Sequence, residues 1–180
     1  MNIETILKAQ MLCKPNDNPN PEVSEILDQS GQIKEKHILQ GGKKNGISIY
    51  YSDGQIVQRV SYVDGIVEGP VEIYDNGFLQ LIMNYHNEQL DGPMYQFEKN
   101  MLKQFGNYKN GKKSGVFYIF ADQYLIKEET YKNDVLDGKS ITYYPKSNQI
   151  FEIGTYTDGY KTGIWNQLDQ TGNVIQEEEF

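Results

Sequence analysis

The sequence predicts an all-β fold, an elongated single-layer antiparallel β-meander of tandem hairpins. Three observations carry that prediction. Gly46, Gly69, Gly92, Gly115 and Gly138 stand 23 residues apart, and Gly163 follows after 25. Aromatic rings travel with them: Tyr51, Tyr74, Phe97, Phe120 and Tyr143 five residues later, and Tyr62, Tyr85, Tyr108, Tyr131 and Tyr156 seven residues before the next glycine. The composition agrees, with 2 Ala and 11 Leu against 18 Ile and 14 Tyr, the side chains that suit a pleated, half-buried surface rather than a helix. A fixed period of this length is the mark of a repeat architecture and excludes an all-helical bundle.

Taken along the chain, residues 1–21 stand outside the repeat. Ile3, Ile6, Leu7 and Met11 have helical spacing, and Lys14 to Pro21 is rich in breakers, so a short helix or coil and a linker are expected there. Residues 22–180 form the tandem domain, opened by a partial repeat with Val23, Gly31 and Ile33. Each full period reads as two strands. The first runs from the recurrent glycine to its ring, as in Gly46 to Tyr51, and a tight corner such as Asp53-Gly54 or Asn76-Gly77 follows, where positive φ is wanted. The second, as in Gln55 to Tyr62, is expected to end in a wider turn from Gly65 to Gly69. The corner positions are irregular in the middle copies, where Glu88, Asn100, Gln123 and Asp134 replace glycine. The two extra residues of the fifth copy fall between Pro145 and Asn148, in an expected turn. Glu177, Glu178 and Glu179 place like charges at the last strand, where they blunt a sheet edge.

Charge and composition bound the function. The chain has 180 residues, a formal charge of -8 and one cysteine. Cys13 alone forms no internal disulfide and no zinc site. The first residues do not read as a secretory signal, and the longest apolar stretch, Val116 to Ala121, is far below the roughly 18 residues of a membrane span. A soluble, cytoplasmic protein is expected. The negative charge disfavours nucleic acid and anionic membrane and favours a basic protein partner.

The run Tyr108-Lys-Asn-Gly-Lys-Lys-Ser-Gly115, and Tyr156-Thr-Asp-Gly-Tyr-Lys-Thr-Gly-Ile-Trp165 after it, resembles the MORN repeat in its bacterial variant, over about residues 23 to 178. The resemblance implies an antitoxin or immunity protein that neutralises a cognate bacterial toxin. Eukaryotic relatives imply the alternative, a membrane-associated or protein-protein scaffold. Ser48 and Ser140 depart from the pattern, standing where a larger apolar side chain is common.

No catalytic, cofactor-binding or metal-binding constellation is legible. His37 and His86 read as surface or turn residues, and His86-Asn-Glu88 lacks the second histidine of a metalloprotease helix. Gly41 to Gly46 lacks the Lys-Ser/Thr end of a phosphate loop. Glu128-Glu129 reads as a solvated face. The repeating glycines and rings are assigned to structure. Aromatics outside the ladders, Tyr95, Phe105, Phe117, Tyr118 and Tyr124, are the candidate partner-binding surface, since buried aromatic anchors dominate interfaces. The expectation is a non-enzymatic binding module without cofactor, its partner a basic toxin or effector domain. Small lysine clusters, Lys43, Lys44, Lys109, Lys112 and Lys113, are what a lipid surface would meet.

Overall fold

Tight corners set the frame. In the structure, a computed structural model that describes residues 21–180, every regular element is a strand. In order they are β1 (Glu22–Leu27), β2 (Ile33–Gln40), β3 (Lys43–Lys44), β4 (Gly46–Ser52), β5 (Gln55–Val63), β6 (Ile66–Asp75), β7 (Phe78–His86), β8 (Gln89–Glu98), β9 (Met101–Lys109), β10 (Lys112–Ala121), β11 (Tyr124–Lys132), β12 (Val135–Tyr143), β13 (Ile150–Thr157), β14 (Tyr160–Leu168) and β15 (Val174–Glu179). Their order is that of the chain, with β3 beside β2 off the path, so the described chain is an all-β meander of antiparallel hairpins. The helix or coil expected near the N-terminus, and Cys13, lie outside the described residues.

The chain divides into two compact units. One runs through Leu90 and takes in Glu98–Asn100, and the other holds Asp91–Phe97 and Met101–Phe180. Within the first, β1, β2, β4, β5, β6 and β7 pair in turn, and within the second β9 to β15 do the same.

The wide turn expected from Gly65 to Gly69 is not formed. Asp64 and Gly65, at φ of 51° and 88°, make a two-residue corner, and β6 begins at once with Ile66. Positive φ at both central residues is the primed turn whose twist matches the strands it joins. Glu88, Asn100, Gln123 and Asp134 adopt the same conformation at φ between 63° and 72°, so the middle copies differ in residue type and not in backbone. A second reason holds these corners in place. At Gly65, Glu88, Asp134 and Gly159 the corner N–H donates to a carbonyl of the preceding copy, as Gly65 N to Lys44 O at 2.7 Å and Asp134 N to Lys113 O at 3.1 Å.

The recurrent glycine lies inside a strand instead, at a bulge. With Val60 opposite Val71 and Tyr62 opposite Val67, the three residues Glu68, Gly69 and Pro70 face Ser61 alone. The same shift occurs where Glu129 pairs Ser140 and Tyr131 pairs Leu136, around Gly138. Such a bulge bends its strand and needs a residue that takes positive φ, here 94° at Gly69 and 121° at Gly138.

Each unit has its own thin core. In the first, Ser48, Val60, Val71 and Met83 are successive register partners, the first three buried. In the second, Phe117, Glu129, Ser140 and Gly154 follow one another across β10 to β13. Large side chains lie over glycine there: a Cβ on Gly106 would come within 2.4 Å of the Phe117 ring, and one on Gly154 within 2.1 Å of Trp165. The two serines that depart from the repeat pattern are therefore fully buried members of these rows.

Candidate functional site

Strand alternation places Phe117 and Tyr118 on opposite faces of β10, and this separates the aromatics chosen from the sequence. Phe117 is 0% exposed. Its ring meets Tyr108 and Tyr131 edge-on at 5.7 and 5.2 Å, and the Lys113 ammonium stands 4.9 Å from its centroid. It belongs to the core, and its assignment to a partner surface is corrected. The signal was in the spacing, since Phe117 stands two residues after the recurrent glycine, as do Val71, Met94 and Trp165, and so it repeats after all.

Three of the other candidates come together on the opposite face. Phe105 and Tyr118 are register partners on β9 and β10, their rings stacked at 4.5 Å with planes 15° apart. Tyr95 stacks on Phe105 from one side at 6.1 Å, and Phe120, which the sequence assigned to the structural ladder, joins at 6.1 Å. All four rings are half-buried. Tyr124 does not join them; it opens β11 at the Asp122-Gln123 corner, pairs with Ala121 and is 42% exposed.

Glu128 borders this column as the register partner of Tyr118. The Tyr143 hydroxyl donates to Glu128 Oε1 at 2.5 Å. Burial first, and this hydrogen bond second, push the Tyr143 phenol up to about 12. On the other face Glu129 is 9% exposed, so the reading of Glu128-Glu129 as one solvated face is also corrected. Burial works to raise the Glu129 carboxyl. The Lys127 ammonium at 2.6 Å and the Tyr131 hydroxyl at 2.7 Å outweigh it, with help from the Lys113 charge, and hold it below the usual carboxylate range.

His37 is a third correction. It is 4% exposed in the middle of β2, its Nε2 3.2 Å from Glu35 Oε2 and its ring edge-on to Tyr50 at 5.8 Å. Its Nδ1 and the Ser48 hydroxyl are buried without hydrogen-bond partners. His86 is on the surface as expected, at the end of β7 with Nδ1 2.8 Å from Glu68 Oε1. Of the lysines, Lys44 is held over the Tyr50 and Tyr62 rings and Lys113 over Phe117 and Tyr131, while Lys43, Lys109 and Lys112 are exposed.

Among the described residues no three His, Cys, Asp or Glu side chains are placed to hold a metal ion. No helix there is long and apolar enough to cross a membrane. The arrangement is a row of stacked rings flanked by a carboxylate. No family model matches the sequence, and no curated protein matches it.

Proposed function

We propose that this chain is a non-enzymatic, cytoplasmic protein-binding module of the MORN type, an antitoxin or immunity protein that neutralises a basic bacterial toxin by direct binding. The observation that carries this reading is the stacked column of Tyr95, Phe105, Tyr118 and Phe120 beside Glu128, on a chain with a charge of -8. Rings fixed by stacking lose little conformational freedom on association, which favours them as anchors. The net charge would speed the approach of a basic partner.

Co-expression with basic proteins encoded beside its gene tests this. The chain is expected to restore growth to cells producing the cognate toxin, and association is expected to slow steeply as salt is raised. Phe105→Ala and Tyr118→Ala, each checked for folding by circular dichroism, are expected to weaken capture; full rescue by both variants would remove the column from the interface. The alternative, a membrane-associated scaffold, draws on the exposed Lys43, Lys109 and Lys112, since Lys44 and Lys113 face rings. Clear co-flotation with anionic liposomes would reverse the order of the two readings.

A further inference from the structure

We propose that Tyr118, Glu128 and Tyr143 form a subsite for an arginine side chain of the partner. This rests on the binding-module reading and adds which chemical group the face takes. The first unit holds an internal example of the same chemistry. There Tyr74 donates its hydroxyl to Glu72 Oε2 at 2.5 Å, and the guanidinium of Arg59, the register partner of Glu72, completes the group. Arg59 Nη1 lies 3.5 Å from Glu72 Oε2 and its Cζ 5.5 Å from the Tyr74 ring centroid.

In the second unit Tyr143 and Glu128 repeat the tyrosine-carboxylate pair without a cation, whereas the pair of Tyr131 and Glu129 on the other face is completed by Lys127. Tyr143 occupies the place of Tyr74, five residues after the recurrent glycine. Its partner carboxylate, Glu128, precedes that glycine by ten residues, the offset at which Arg59 precedes Gly69. The carboxylate thus stands at the arginine's register position, and among the described residues no ion pair reaches it. The neighbouring Lys127 is on the other face, committed to Glu129 at 2.6 Å.

The geometry favours a guanidinium over an ammonium. Phe105 covers one face of the Tyr118 ring at 4.5 Å, and the cross-strand neighbour on the other side is Glu128. A planar cation there meets a ring face and a carboxylate together, and Tyr143 leaves the second carboxylate oxygen to accept from it. Ile141, the buried register partner of Glu128, lends an apolar wall that strengthens the pairing relative to open water.

Titration of the full chain with the blocked peptide Gly-Arg-Gly, followed by the ring resonances of Tyr118 and Tyr143, tests the subsite. Both rings are expected to shift, with the lysine peptide several-fold weaker and the citrulline peptide inert. Glu128→Gln is expected to weaken the response at least about fivefold, and Tyr143→Phe, which keeps the ring, to retain it. An equal response to citrulline, or to lysine, overturns the assignment, and those arms need no variant should Glu128→Gln fail to fold. A response to arginine that persists in a folded Glu128→Gln chain also overturns it. If the peptide binds as described but no basic protein is captured, the subsite stands and the antitoxin reading falls. If a toxin is captured while the peptide leaves both rings unmoved, the subsite alone falls.

Discussion

Phe117 and Ser48 are both 0% exposed, and they bear opposite kinds of energetic weight. Phe117→Ala removes a ring packed against two tyrosines and a glycine, and is expected to cost about 3 to 5 kcal/mol in urea unfolding. Ser48→Ala removes a buried hydroxyl without a partner, and is expected to be neutral or stabilising by up to about 1 kcal/mol. A large loss in that variant would mean that the hydroxyl is bonded in solution. Glu129 belongs at this scale too. Its folded carboxyl titrates below the ordinary value of 4.5, so the stability it contributes is present above that pH and is lost as pH falls through the folded value. Acid unfolding of Glu129→Gln is therefore expected to lack part of the pH dependence below about 4.5; a profile parallel to that of the unaltered chain would refute the assignment.

Hairpin corners and bulges decide matters at the scale of the element. Gln123 at φ 72° holds a left-handed conformation that costs a side chain with Cβ about 1 kcal/mol, so Gln123→Gly is expected to raise stability by a fraction of that, the freed unfolded chain offsetting the rest. Gly138→Ala is expected to lose more than 1 kcal/mol. At φ 121° it sits outside the region open to alanine, and its Cβ would lie 2.9 Å from the Thr130 side chain. Thermal melts of the two single variants check both signs. The hairpin rhythm was legible because Asp-Gly and Asn-Gly announce a primed turn locally. The bulge was not. Gly-x-x-x-Gly reads equally as a long turn or as a corner followed by a strand with a bend, and only the ladder, where three residues face one, distinguishes them.

For the whole molecule, phenols carry the alkaline limit. Burial raises Tyr62 and Tyr143 to about 12, and raises Tyr74, Tyr108 and Tyr131 as well, with hydrogen bonds to Tyr50, Glu128, Glu72 and Glu129 adding to four of the five. The unfolded chain ionises these groups near 10, so stability is full below that pH and falls as pH rises toward the folded values. Tyrosinate absorbance from these five phenols is expected to rise only together with loss of the far-ultraviolet strand signal. Ionisation of these five near the ordinary value with the strand signal intact would contradict their burial. Association, if the proposed partner is basic, adds a second global dependence through salt.

The period and the strand count per repeat came from the sequence alone, because glycine spacing and side-chain alternation are local properties of the chain. Which face each side chain occupies did not. Phe117 and Tyr118 are neighbours in sequence, yet one is core and the other part of a stacked surface column, since the bulge at the recurrent glycine sets the pairing beyond it. Glu129 is buried for a related reason: it stands in a row between Phe117 and Ser140, and cross-strand neighbours are fixed only when the ladder closes.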